Sequence, residues 1–154
     1  MTASTIQPIR TGPHDPAFRS LVVELDKDLA IRDGDEHAFF AQYNKLDEIK
    51  HVVLVMNGDQ PAGCGALKQL DTNTVEIKRM FTAPAHRQQG IASTVLLELE
   101  LWATQLGYTR CVLETGKLQP EAIALYTKHG YDPIPNYGPY ITVESSLCFA
   151  KQLA

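Results

Sequence analysis

The chain has 154 residues, 44% of them hydrophobic and 21% charged, and a formal charge of −4 at pH 7. This composition fits one soluble domain over residues 1–154 and excludes a disordered tail, a collagen, a coiled coil and a disulfide-knotted miniprotein. The acidic balance argues against a nucleic-acid partner, because general nucleic-acid binders are basic.

In chain order, residues 6–10 read as a short opening strand. Residues 16–30 place Phe18, Leu21, Val22, Leu25 and Leu29 at helical spacing, with Asp15 as N-cap and Pro16 at the first helical position. A second, shorter helix is expected over 36–44. Strands follow at 51–56, 63–70 and 75–82, separated by the turns Asn57-Gly58-Asp59-Gln60 and Asp71-Thr72-Asn73. Successive tight turns make these three strands antiparallel. The period then changes. Ile91, Val95, Leu99, Trp102 and Leu106 form one stripe of a helix over 91–106, with Gly107 ending it. A strand at 108–113, a helix at 120–129 opened by Pro120 and closed before Gly130, and a last strand at 142–150 complete the order. The expected fold class is α/β, a mixed and largely antiparallel sheet flanked by helices.

The aliphatic run Val52-Val53-Leu54-Val55-Met56 is far shorter than the ~20 residues of a membrane span. The first residues lack a basic stretch followed by an apolar one, so no secretory signal is expected. Cys64, Cys111 and Cys148 fit neither a zinc pattern nor a disulfide framework. A cytoplasmic protein with reduced thiols, no metal and no membrane partner is the resulting expectation, as a monomer or homodimer.

Charge is unevenly spread. Residues 24–48 hold Glu24, Asp26, Asp28, Asp33, Asp35, Glu36, Asp47 and Glu48 against Lys27, Arg32 and Lys45. Residues 77–97 hold no acid and carry Lys78, Arg79, His86 and Arg87. Within that window lies Arg87-Gln88-Gln89-Gly90-Ile91-Ala92, between a strand and a long helix. Small residues there allow a ligand close to the backbone. The helix start offers unpaired N–H groups and the positive end of its dipole, which together suit a pyrophosphate. The pattern is neither a P-loop nor a GxGxxG dinucleotide fingerprint.

The segment from Val75 to Thr82 followed by Arg87-Gln88-Gln89-Gly90-Ile91-Ala92 resembles the central motif, [RQ]-x-x-G-x-[GA], of the GNAT superfamily of acetyl-CoA-dependent N-acetyltransferases. Downstream, Gln119-Pro120-Glu121-Ala122-Ile123-Ala124-Leu125-Tyr126 through Gly130-Tyr131 resembles that family's second signature, N-x-x-A-x-x-L-Y-x-x-x-G-[FY]. Ala92 replaces the commoner second glycine, and Gln119 stands where the family usually has Asn.

The resemblance implies direct acetyl transfer from acetyl-CoA, as co-substrate, to an amine. Arg87, Gln88, Gln89, Gly90, Ile91 and Ala92 would hold the pyrophosphate and Gln119 the pantetheine arm. A backbone N–H of Met80, Phe81 or Thr82 would stabilise the oxyanion. Tyr126 would protonate the thiolate, and Glu76 or a water relay would deprotonate the amine. A lysine-like amine is only about 0.04% neutral at pH 7, so help with deprotonation matters. His86 and His129 read as structural, and Cys111 as core. The acceptor would lie between residues 31–43 and 133–140, packed on Tyr137 and Tyr140. The acids nearby favour a small cationic amine. A non-catalytic CoA-binding regulatory module and a protein N-acetyltransferase remain open alternatives.

Overall fold

The computed structural model describes residues 6–41, 46 and 48–153. The elements run β1 (Gln7–Thr11), α1 (Pro16–Asp33), α2 (His37–Ala41), β2 (Ile49–Asn57), β3 (Gln60–Gln69), β4 (Thr74–Thr82), α3 (Ile91–Gln105), β5 (Arg110–Gly116), α4 (Pro120–Lys128), β6 (Asp132–Ile134) and β7 (Ser146–Gln152). They build a seven-stranded sheet in the order β1-β2-β3-β4-β5-β7-β6. The pair β4–β5 is parallel; every other neighbouring pair is antiparallel.

Local signals account for the boundaries. Asp15 caps α1 by accepting a hydrogen bond from the Ala17 N–H at 2.9 Å, with Pro16 next in the helix. Asp71 accepts from the N–H groups of Asn73 and Thr74, both at 2.8 Å, and so fixes the β3–β4 turn. Along β2, Val53 and Val55 pack into one core with α3, while Val52 and Leu54 pack into another with α1. A strand buried on both faces explains the unbroken aliphatic run.

Several expectations need correction. The helix expected over 36–44 is helical only at His37–Ala41, after a 3-10 turn at Gly34–Glu36; residues 42–44 lie outside the described residues. The fifth strand, expected to stop at residue 113, runs to Gly116. The last strand starts at Ser146 rather than 142, because turns occupy the intervening residues: the Val143 N–H donates to the Tyr140 carbonyl at 2.9 Å and the Ser146 N–H to the Val143 carbonyl at 3.1 Å. The three-residue strand β6 was not expected. It carries Pro133, which is tolerated because β6 lies at the sheet edge. On α3 the buried side adds Leu96 and Ala103, while Leu106 is exposed.

Two irregularities of β4 shape the site. A bulge falls where Cys64 pairs with Phe81 but Ala66 pairs with Lys78. Its extra residue includes Arg79, whose φ of 57° is unusual for a side-chain-bearing residue. The bulge shifts the alternation: Val75 and Ile77 face α3 before it, whereas Phe81 faces α1 after it. The second irregularity is a splay. β4 pairs with β5 only at Thr74, Val75 and Glu76, although both strands continue well beyond. Backbone groups from Ile77 onward therefore lack that partner and open a gap.

Candidate active site

A cavity of about 630 Å³ fills the gap between β4 and β5. On the α3 side it is lined by Arg87, Gln88, Gly90, Ile91, Ala92, Gln119 and Tyr126. On the α1 side it is lined by Asp28, Arg32, Asp33, Glu36, Glu76, Lys78 and Glu114. Met80, Phe81 and Thr82 form its wall along β4.

The anion-suited loop has the backbone its sequence demands. Gln88 and Gly90 take left-handed φ values of 63° and 76°. Gly90 caps α3 without any side-chain hydrogen bond, so the first-turn N–H groups of α3 stay open to a ligand. Arg87 folds back so that its Nε donates to the Thr82 carbonyl at 3.1 Å, with the guanidinium 5.8 Å from the Phe81 ring centre. The loop sits close to the sheet because β3 is thin here. A Cβ on Gly63 would lie 2.5 Å from Ile91, and one on Gly65 would lie 2.5 Å from the Met80 sulfur.

Gln119 begins α4, and its amide takes no capping role; it lies over Gly116 and lines the cavity. Tyr126 is buried against Tyr131 at a ring separation of 5.7 Å. Burial first, and the Glu114 carboxylate second, push its phenol above the ordinary range, so it stays protonated. Its hydroxyl makes no hydrogen bond among the described residues.

A buried polar cluster lies on the other side of the gap. Glu76, 3% exposed, has Lys78 Nζ at 3.4 Å from one carboxylate oxygen and accepts from the Tyr137 hydroxyl at 2.5 Å on the other. Lys78 Nζ also donates to the Tyr140 hydroxyl at 3.0 Å. Burial lowers the Lys78 pKa, with Glu76 opposing. Glu114 accepts from Ser146 Oγ at 2.7 Å, and burial pushes its carboxyl up to about 7. The Ser145 hydroxyl lines the same cavity, buried and without a hydrogen-bond partner among the described residues. Arg32 joins the two sides: its guanidinium reaches Glu121 of α4 at 3.3 Å while Nε lies 3.1 Å from Asp28.

The residues named from sequence thus converge, with exceptions. Gln89, Tyr137 and Tyr140 do not line the cavity. The two tyrosines stand behind its wall, bonded to Glu76 and Lys78, and Tyr140 packs against Phe40. Glu76 is on β4, a central strand of the sheet. His86 pairs with Asn57, and His129 with Ser93 across α3 and α4. Burial pushes the Cys64 and Cys111 thiols up to about 12. Glu114 and Ser145 were missed. The alternation of Val112 with Glu114 could have revealed the first, because it continues the strand period past Leu113.

Residues 16–131 match the Acetyltransferase (GNAT) family profile. The chain belongs to this family. An IAA acetyltransferase of Azospirillum brasilense is 34% identical over 149 residues, 94% of this chain and 95% of that protein. The uncharacterized N-acetyltransferase YsnE of Bacillus subtilis is 43% identical over 86 residues, 53% of this chain and 57% of its own length. A Klebsiella pneumoniae crystal structure assigned to the acyl-CoA N-acyltransferases superposes with a TM-score of 0.80 at 27% identity, covering 99% of this chain and 100% of that one. A GNAT family acetyltransferase from Elizabethkingia anophelis with acetyl-CoA bound shares the fold at a TM-score of 0.70 and 22% identity, covering 98% and 100%. The protein is therefore an acyltransferase of an acetyl-CoA-using family. Among the described residues, no helix is long and apolar enough to cross a membrane.

Proposed function

We propose that this GNAT protein transfers the acetyl group of acetyl-CoA directly to a small cationic primary amine. The observation that carries the reading is the cavity itself. It joins an open helix N-terminus on one side of the β4–β5 gap to a carboxylate-rich wall on the other. An anionic co-substrate suits the first side and a cationic acceptor the second. Asp28, Asp33, Glu36, Glu76 and Glu114 supply the carboxylates, and Arg32 and Lys78 are engaged by Asp28, Glu121 and Glu76.

In this reading the loop from Arg87 to Ala92 and the α3 N-terminus hold the pyrophosphate. The Gln119 amide, with no capping role, holds the pantetheine arm. A β4 N–H between Met80 and Thr82, freed by the splay, donates to the oxyanion, a contribution typically worth ~2.7–4 kcal/mol. Tyr126 gives the sulfur its proton. The carboxylate cluster around Glu76 prepares the amine, with Tyr137 and Tyr140 holding that cluster from behind. Thiols held near 12 carry almost no thiolate at neutral pH, which favours direct transfer over an acyl-cysteine route.

The test is thiol release from acetyl-CoA with a panel of amines: spermidine, lysine, tryptamine, an aminoglycoside, and neutral and anionic amines. Release fastest with di- or polycations supports the reading. Faster release with neutral or anionic amines removes the cationic acceptor. Acetyl-CoA binding by calorimetry without release from any small amine points instead to a protein acceptor or a non-catalytic module.

A further inference from the structure

The cluster at the gap contains two carboxylates, and the motif resemblance singles out only Glu76. That residue has a protein partner on each carboxylate oxygen. Lys78 Nζ lies 3.4 Å from its Oε1, and the Tyr137 hydroxyl donates to its Oε2 at 2.5 Å. Both contacts favour the charged carboxylate and hold it in place between Lys78 and Tyr137.

Glu114 is differently placed. Ser146 Oγ donates to its Oε2 at 2.7 Å, and its other oxygen takes no hydrogen bond from any described residue. It lines the cavity. In the parallel ladder Val112 stands beside Glu76, so two-residue alternation puts Glu114 on the face of Glu76 and Lys78, just past the last β4–β5 pair. Cys111 and Leu113, its alternates, face α3 and Tyr126 in the other core. Glu114 and Tyr126 thus approach the gap from opposite faces of the sheet.

Resting on the acetyl-transfer reading, we propose that Glu114 is the catalytic residue that takes the ammonium proton, and that Glu76 is a positioning residue acting through Lys78. Glu114 accepts one ammonium proton, which frees the nitrogen lone pair. The C–N bond forms at the thioester carbonyl carbon, and the C–S bond breaks with its electron pair on sulfur. Tyr126 donates its proton to that sulfur and regains one, through solvent, from the second proton the nitrogen sheds. Glu114 returns its proton to solvent. Amine cation and thioester become amide, thiol and one proton.

The titration of Glu114 matches the task. Burial raises it to about 7; the Ser146 hydroxyl and Lys78 lower it, while Glu76 and Asp33 raise it. Cys148 of β7 stands opposite Glu114 in the ladder, and the Glu114 charge bears on Tyr126 of α4. A base titrating near the operating pH is efficient.

The test is a pH profile of kcat/KM, with acetyl-CoA and the fastest amine of the panel, for wild type, Glu114→Gln, Glu76→Gln and Ser146→Ala. Wild type is expected to gain activity with a midpoint near pH 7. Glu114→Gln should lose that acid limb and about 100-fold or more in kcat, with unchanged acetyl-CoA affinity by calorimetry. Glu76→Gln should keep the limb but move it to lower pH. Ser146→Ala should move it to higher pH. In the free protein, a protonated-carboxyl infrared band should titrate with the same midpoint and vanish in Glu114→Gln. A limb retained unmoved in Glu114→Gln, a limb lost in Glu76→Gln, or no such band overturns the assignment. Should Glu114→Gln fail to fold, the opposite shifts of the other two variants support it, and equal or absent shifts overturn it. No release with any amine overturns the acetyl-transfer reading and this assignment with it, a failure distinct from those above.

Discussion

At the residue scale, burial sets the protonation of both candidate proton carriers, in opposite service. Tyr126 needs to hold its proton until a thiolate appears, and its apolar surroundings on the α3 face raise its pKa. Tyr126→Phe removes the proton while leaving the ring packed on Tyr131. The expected result is a kcat lowered at least several-fold with little change in acetyl-CoA affinity, read by steady-state kinetics and calorimetry in a reaction limited by chemistry. Glu114 leaves a second signature, in stability. Its carboxyl rises from an ordinary 4.5 to about 7 in the fold. Between these values the folded protein holds a proton that the unfolded chain has lost, so stability falls as pH climbs from 4.5 to 7 and stays lowered above. The full penalty is about 3 kcal/mol by the conversion of pKa to free energy, a figure that already includes the opposing effect of Lys78. Glu114→Gln should therefore gain roughly 1–3 kcal/mol over wild type at pH 8 and almost nothing at pH 4, measured by urea unfolding.

At the element scale, β3 determines how closely α3 approaches the sheet. A Cβ on Gly65 would meet the Met80 sulfur at 2.5 Å, Leu99 at 2.8 Å and Val95 at 2.9 Å. Met80 lies beside the bulge, so an added methyl presses at once on the bulge and on the helix that carries the anion loop. Gly65→Ala should cost about 1–3 kcal/mol of stability and weaken acetyl-CoA binding, checked by urea unfolding and calorimetry on one sample. The sequence made most of this frame legible. The 3.6-residue stripe of 91–106, the caps at Asp15 and Gly107, and the two tight turns each rest on local chemistry. The splay and Glu114 were less visible, because β4 and β5 pair through residues 36 positions apart; the bulge was less visible because it is a register shift between β3 and β4. The polar run Glu114-Thr115-Gly116 reads as the end of a strand. It stays in the sheet because β7 pairs with it at every residue from Arg110 to Gly116. Tyr137 and Tyr140 sat in the expected segment, but tertiary bonds to Glu76 and Lys78 turn them away from the cavity.

At the scale of the whole molecule, the charge of −4 averages two unlike surfaces brought to one cavity by the β4–β5 gap. The acid-free stretch 77–97 supplies the bulge, the loop and the α3 N-terminus. The acidic stretch supplies Asp28, Asp33 and Glu36 across from it. Fields of this kind act over about a Debye length, ~8 Å at physiological salt, and fade as salt is added. A dication approaching the α1 side should feel them, and a neutral amine should not. Raising salt from about 20 mM to about 500 mM should therefore lower kcat/KM several-fold for spermidine and leave it nearly constant for a neutral acceptor, at fixed saturating acetyl-CoA. Replacing Asp33 and Glu36 together by Asn and Gln should raise KM for spermidine by about 3–10-fold and flatten that salt dependence. Equal salt dependence for charged and neutral acceptors would show that the acidic wall does not select the amine, and would leave the carboxylates only their roles inside the buried cluster.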